Sequence, residues 1–292
     1  MWMAASEVLR GMSKTSILHI QQKKEQGIPL TMLTAYDYSS ATLVDAAEID
    51  MILVGDSLGM VMMGLDSTTP VTMEEMLHHC RAVARGAKRA FLIGDMPFMS
   101  YQVSVSEAIG NAGRFLKEAG MDSVKLEGGR IAAGAVRGIV NAGIPVMGHI
   151  GLTPQSVSQL GGYRVQGKTA TAARRLLGDA LALEEAGCYA LVLEAIPAPV
   201  ATEISSRLGI PTIGIGAGAG CDGQVLVYHD LLGLFDRFQP RFVKQYANVG
   251  ETILNALTSF RQEVIGSAFP AEEHTYPMDD EALKSFLDDP LE

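Results

Sequence analysis

Cysteine is almost absent: Cys80, Cys188 and Cys221 are the three in 292 residues. They are odd in number, widely separated and without zinc-type spacing. That excludes a disulfide scaffold or zinc module and reads as reduced thiols in the cytoplasm. Positive charge is also scarce, with 23 Lys and Arg against 33 Asp and Glu, a net charge of −10 and a pI near 5.1. The deficit argues against a nucleic-acid-binding surface and against docking on an anionic membrane. A small anionic substrate is not excluded, because it needs only a local positive site. No apolar run approaches the roughly 20 residues of a membrane-spanning helix. Residues 1–12 carry a single Arg and no long apolar core, a poor match to a signal peptide. What is plentiful is apolar: 48% of the chain is hydrophobic and the mean hydropathy is +0.18, enough for one large core.

Short apolar runs and Ala-rich helical stretches alternate along the chain. The runs fall at residues 30–34, 51–54, 91–93, 123–126, 145–147, 190–193, 211–215 and 225–228. Several open alike, as in Gly27-Ile28-Pro29, Gly143-Ile144-Pro145 and Gly209-Ile210-Pro211, where Gly ends a helix and Pro starts the next strand. Helices are expected over 16–27, 39–47, 73–85, 106–119, 131–141, 169–186 and 200–208. Strands alternating with helices mean parallel βαβ units, and eight at this length fit an α/β protein of the (β/α)8 TIM barrel type. The expected organisation is an N-terminal extension (1–14), one barrel domain (15–266) and an acidic tail (267–292). A Gly-rich stretch, 148–167, is too long for an ordinary barrel connection and reads as a binding loop over the substrate, with Tyr163 on it.

Barrel enzymes place their chemistry at the C-terminal ends of the strands. Here those ends carry Asp56-Ser57, Asp95, Lys125-Leu126-Glu127, His149, Glu194 and His229-Asp230. In Ser123-Val124-Lys125-Leu126-Glu127, Lys125 and Glu127 share one face, opposite to Val124 and Leu126. A lone Asp at such a place caps the next helix or shapes a turn, and Lys125–Glu127 alone could be a structural ion pair. Carboxylates converging from several strands repel unless a cation sits among them, and Mg²⁺ is the default ion for such oxygens. Asp56 and Asp95 are the expected metal ligands, with Glu127 direct or through water. Glu194, ending the apolar Leu191-Val192-Leu193 run, suits a general base. His149 stands either as a satisfied core histidine or as a supporting residue, and Asp230 reads as a helix cap. Gly214-Ile215-Gly216-Ala217-Gly218 lacks the dinucleotide spacing and reads as a place for a ligand or anion to approach the backbone. A divalent ion, a Lys and a Glu base together suit metal-assisted enolisation of a 2-oxo acid, with Lys125 balancing the substrate carboxylate or the developing charge rather than forming a Schiff base.

These stretches resemble a known family. Met32-Leu33-Thr34-Ala35-Tyr36-Asp37, Val54-Gly55-Asp56-Ser57-Leu58-Gly59-Met60, Asp95-Met96-Pro97-Phe98-Met99-Ser100-Tyr101, Val124-Lys125-Leu126-Glu127-Gly128-Gly129, Gly148-His149-Ile150-Gly151-Leu152-Thr153-Pro154-Gln155 and Cys221-Asp222-Gly223-Gln224-Val225 are similar to the ketopantoate hydroxymethyltransferases. The resemblance implies a barrel of the phosphoenolpyruvate/pyruvate-binding type. It implies transfer of a hydroxymethyl group from methylenetetrahydrofolate to 2-oxoisovalerate (3-methyl-2-oxobutanoate), giving ketopantoate for pantothenate and coenzyme A synthesis. By the family pattern Asp56, Asp95 and Glu127 form a site for one Mg²⁺ per subunit; Asp56, Ser57, Asp95 and Lys125 contact the oxo acid; Glu194 accepts the proton. A cytoplasmic homo-oligomer, commonly a decamer, is implied as well. The alternatives are a Mg²⁺-dependent 2-oxo acid C–C lyase or mutase of the same barrel superfamily, for which Cys221 is the one thiol expected near the mouth, and a non-catalytic ligand-binding barrel.

Overall fold

The structure, a computed structural model, describes residues 14–235, 237 and 240–289; all of the expected N-terminal extension but Lys14, and residues 290–292 of the tail, lie outside the described residues. The eight apolar runs form β1 (Leu30–Thr34), β2 (Met51–Val54), β3 (Phe91–Asp95), β4 (Ser123–Glu127), β5 (Val146–Gly151), β6 (Ala190–Glu194), β7 (Thr212–Ile215) and β8 (Gly223–Leu226). All pair in parallel in chain order, and β8 returns to β1 through Leu30↔Gly223 and Met32↔Val225 to close the barrel.

Two side-chain sets follow from strand alternation. Met32, Met51, Leu53, Phe91, Ile93, Met147, Val192, Ile213 and Val225 fill the barrel interior. Val124, Leu126, Val146, Leu191 and Leu193 face outward and pack on the helices. Full burial of each such aliphatic side chain contributes roughly 1.5–3 kcal/mol. At Gly94 a Cβ would lie 2.3 Å from the Phe115 ring, so β3 and the helix behind it approach closely only because residue 94 has no side chain.

In chain order the helices are α1 (Ile17–Glu25), α2 (Tyr38–Ala46), α3 (Leu58–Val61), α4 (Met73–Gly86), α5 (Val105–Ala119), α6 (Ala133–Asn141), α7 (Val157–Leu160), α8 (Ala170–Glu185), α9 (Ala198–Arg207), α10 (Tyr228–Leu232), α11 (Val249–Ile265) and α12 (Asp280–Asp288). Capping boxes start α2 (Asp37 with Ser40) and α4 (Thr72 with Glu75), each cap being worth about 1 kcal/mol. α1 plugs the N-terminal mouth with Ile20, and Lys23 and Lys24 tie it to Asp50 and Asp222 at 2.8 and 2.9 Å. The other mouth, at the strands' C-terminal ends, stays open. α11 lies apart from the core, its residues exposed from Glu251 to Ile265.

Most boundaries shift by one or two residues from those expected, and two of the differences bear on the site. β8 spans 223–226, not 225–228, because Asp222 accepts from the backbone N–H and hydroxyl of Thr212 and so brings Gly223 into the sheet early, while Tyr228 already begins α10. The stretch expected as a loop from Gly148 starts as strand: His149, Ile150 and Gly151 pair with Val192, Leu193 and Glu194. The connection that leaves the sheet begins only at Leu152.

Candidate active site

The polar end of each strand grows out of the same alternation that builds the core. β3 buries Phe91 and Ile93 inside the barrel, so Asp95 follows inward; β4 turns Lys125 and Glu127 inward in the same way. Register then sets neighbours: Asp95 lies beside Lys125, Glu127 beside His149, and Gly151 beside Glu194. Gly151 takes φ +100°, and a Cβ there would meet the Glu194 carbonyl at 2.2 Å. The turn from β5 into its loop therefore needs glycine to pass Glu194. Ala195, directly after Glu194, holds the left-handed φ of +48°, and its N–H is fixed by the Ile215 carbonyl at 2.9 Å. Such local strain, of order 1–3 kcal/mol, sits next to the expected base.

These residues line one cavity of about 400 Å³, within the range of small-molecule sites. Asp56, Ser57, Asp95, Lys125, Glu127, His149 and Glu194 all face it. Every site residue expected from the sequence is thus brought together.

The charges form a continuous chain. Lys125 Nζ is 2.8 Å from Asp95 Oδ1 and 3.4 Å from His149 Nδ1. His149 Nδ1 is 3.5 Å from Glu127 Oε1, and its Nε2 is 3.2 Å from Glu194 Oε2. Burial pushes Asp95 up to about 7 against the pull of Lys125, and Asp56 adds to the rise. Burial opposes the Lys125 ammonium, but Asp95, Glu127 and Asp56 together outweigh it and hold its pKa above the ordinary value. A lysine so paired stays charged and is a poor nucleophile. Burial, then Asp56, holds Glu127 well above the usual carboxylate range. Burial and Lys125 lower His149, which is therefore neutral at neutral pH.

The helix-cap reading of Asp56 does not hold. Ser57 is the N-cap of α3 and makes no capping bond; the Asp56 carboxylate instead accepts from Gln155 Nε2 at 2.9 Å, while the Asp56 N–H donates to Asp95 Oδ2 at 3.1 Å. Asp230 is not a cap either, because Val227 stands at that position of α10. The glycines after β7 serve packing rather than an anion: a Cβ at Gly216 would meet Phe242, at Gly218 Ala198, and at Gly220 Thr202. Cys221 is not at the mouth. It adjoins Asp222 at the closed end of the barrel, where Asp222 binds Lys24 of α1.

The donor set fits a hard divalent ion. Asp95 Oδ1 is buried and makes no well-aligned hydrogen bond even with an ammonium 2.8 Å away, which leaves a lone pair for a cation. Among the described residues no three His, Cys, Asp or Glu side chains converge into a protein-only cage. Mg²⁺ suits that arrangement, since it usually takes one or two carboxylates and keeps several waters.

Three contributors come from loops that the strand-end pattern passes over. Gln155 donates through its amide to Asp56 and to the Met96 carbonyl, and through its N–H to Glu127 Oε2 at 3.0 Å. Tyr101 OH donates to Gln155 Oε1 at 2.8 Å and receives the Glu127 N–H at 3.1 Å. Tyr36 OH lies 2.8 Å from Ser57 Oγ. All three fall within motif stretches, but nothing in their spacing marks them as partners of Asp56, Glu127 or Ser57.

Fold and site define a (β/α)8 barrel enzyme with an acidic, lysine-bearing centre at the open mouth. The sequence model of ketopantoate hydroxymethyltransferase matches residues 14–272, and the chain belongs to that family. It is 58% identical over 264 residues to the 3-methyl-2-oxobutanoate hydroxymethyltransferase of Moorella thermoacetica, covering 90% of this chain and 98% of that one. The protein of the same name from Heliobacterium modesticaldum is 58% identical over 268 residues, covering 92% and 97%. Among solved structures, phosphonopyruvate hydrolase in complex with oxalate and Mg²⁺ shares the fold at TM-score 0.59 and 13% identity, over 95% of this chain and 96% of that one.

Proposed function

We propose that the protein transfers a hydroxymethyl group from methylenetetrahydrofolate to 2-oxoisovalerate, giving ketopantoate. The observation that carries this reading is one cavity with Asp56, Asp95 and Lys125 on one wall and Glu194 on another. Asp56 and Asp95 would hold Mg²⁺, with Glu127 completing the site, and the ion when bound supplies Lewis-acid polarisation of the 2-oxo group. Lys125, kept cationic by its neighbours, and Ser57 hold the oxo acid. Glu194 removes the proton from C3, and the neutral His149, 3.2 Å from Glu194, orients that carboxylate. Tyr163, half exposed on the wall above, helps to cover the substrate. Family membership supports the folate donor and the branched oxo acid, which residue chemistry alone leaves open. The same membership supports a cytoplasmic homo-oligomer, decameric by resemblance. The apolar residues exposed along α11 are in keeping with subunit contact.

The test is proton–deuterium exchange at C3 of 2-oxoisovalerate, followed by NMR with and without Mg²⁺. Metal-dependent exchange is expected in the wild type and is expected to vanish in Glu194→Gln. Exchange persisting in Glu194→Gln would transfer the role of base to His149. No exchange in the wild type, even with tetrahydrofolate present, would overturn the reading.

A further inference from the structure

The groups assigned above come from one side of the barrel mouth, β2 through β6. The remaining wall, from β7, β8 and β1, is built differently. Ile215, Val225, Val227 and Phe242 make it largely apolar; beside them stand Thr34, Arg241 and one carboxylate, Asp230. The proposed reaction does not use Asp230, and α10 does not need it as a cap.

Among the described residues the Asp230 carboxylate accepts no hydrogen bond from backbone or side chain, and burial alone pushes it up to about 6, so it is ionised at neutral pH. A half-buried carboxylate without partners is costly unless a ligand supplies donors. A second polar group on this cavity is in the same condition: Thr68, 2% exposed, has a buried Oγ1 with no partner. An apolar wall with one unpaired anion suits a flat heterocycle that carries a two-donor edge.

We infer that Asp230 reads the N3–H and 2-amino edge of the pterin of the one-carbon donor, laid against the apolar wall of β7, β8 and β1. This rests on the folate-dependent reading above. The pyrimidine ring of a tetrahydropterin offers two adjacent N–H donors, and a carboxylate accepts both in a bidentate pair. Placed on this wall, the donor faces the Asp56–Asp95–Lys125 side across the same cavity, and its methylene carbon meets the oxo acid from the side opposite the metal ligands. Asp230 is thus a specificity-determining and positioning residue, not a proton carrier.

The experiment compares tetrahydrofolate with its 2-desamino-2-methyl analogue. Binding is measured calorimetrically to wild type and Asp230→Asn, and ketopantoate formation is followed in parallel. Wild type is expected to prefer the 2-amino compound by at least about tenfold. In Asp230→Asn, tetrahydrofolate affinity is expected to fall by about tenfold or more and the preference to shrink to about twofold, with an unchanged melting temperature. A wild type that turns over with methylenetetrahydrofolate but binds tetrahydrofolate and its analogue alike overturns the inference, whatever the variant does. So does an Asp230→Asn protein that keeps the full preference. A wild type that forms no ketopantoate from methylenetetrahydrofolate overturns the underlying reading, and the inference with it.

Discussion

Gln155 Nε2 donates to Asp56 Oδ2 across 2.9 Å, joining the loop after β5 to the loop after β2. The same residue's backbone N–H donates to Glu127 Oε2, and its side-chain Oε1 accepts from Tyr101 OH. Two acidic residues of the centre are therefore oriented by one neutral residue, Asp56 by its side chain and Glu127 by its backbone N–H. Groups that orient metal-ligating carboxylates typically matter by 10–100-fold. Gln155→Ala is expected to keep the fold but lower kcat/KM by about 10–100-fold and weaken Mg²⁺ binding by a similar factor. Tyr101→Phe should give a smaller loss, because it removes only the hydroxyl that links Glu127 to Gln155. Steady-state kinetics beside magnesium titration calorimetry checks both, and unchanged magnesium affinity in Gln155→Ala would refute the orienting role.

Asp95 and Lys125 form the buried pair at the centre, 2.8 Å apart, and their variants should separate two functions. Asp95→Asn removes the charge of a proposed ligand, so magnesium affinity should fall by at least about tenfold, and activity with it. Lys125→Met removes the cation proposed to hold the oxo acid. Its main effect should be a rise in the KM for 2-oxoisovalerate of about tenfold or more, with magnesium binding largely retained. In the metal-free variant Asp95 loses its partner and, already pushed up to about 7 by burial, can take up a proton that it releases when the ion binds, so the protein should still fold. Equal losses of metal and oxo acid affinity in both variants would show that the two residues do not divide the work.

Much of this site was legible in the sequence because strand periodicity is strict. Once Phe91 and Ile93 face inward, Asp95 follows; once Val124 and Leu126 face outward, Lys125 and Glu127 are committed to the interior. Parallel strands that each end in one polar residue put those residues at one mouth without any knowledge of the loops. Asp56 escapes the rule. It lies beyond the end of β2, where alternation no longer applies, and reaches the cavity through the turn that gives its N–H to Asp95. Gln155, Tyr101 and Tyr36 were illegible as partners because hydrogen bonds between loops leave no periodic trace. Cys221 was misplaced for a related reason: the chain descends from β7 to the closed end of the barrel before β8, a path held by Asp222 and Thr212 rather than by any helix.

Asp50, at the closed end, governs acid stability. Its carboxylate receives Lys23 Nζ at 2.8 Å and the Thr31 N–H and hydroxyl at 2.9 and 2.8 Å. Burial alone would raise its pKa, but Lys23 and Thr31 outweigh burial and lower it. The folded state therefore binds this proton less readily than the unfolded chain does. The stabilisation is fully present above the unfolded value of about 3.9 and is lost as pH falls through the lower folded value. Asp50→Asn should cost about 2 kcal/mol at pH 7 and flatten the decline in stability below pH 4. Urea melts of both proteins from pH 3 to 7 measure it, and parallel pH profiles would refute the assignment.

Helix α11 presents Ile253, Leu257, Phe260 and Val264 at spacings of four, three and four, the stripe of an amphipathic helix. Each of these four is 46–61% exposed, and Leu254 beside them is 63% exposed. A stripe of this kind that meets no core of its own chain is normally covered by another surface. In a homo-oligomer that surface is a second copy. The wild type should therefore sediment at a multiple of its 31.1 kDa subunit mass at micromolar concentration. Leu257→Glu with Phe260→Glu should shift it to smaller species while the barrel's own melting transition persists, because neither residue packs in the core. A double variant with unchanged mass would place the subunit contact elsewhere, and a monomeric wild type would leave α11 without the role proposed for it.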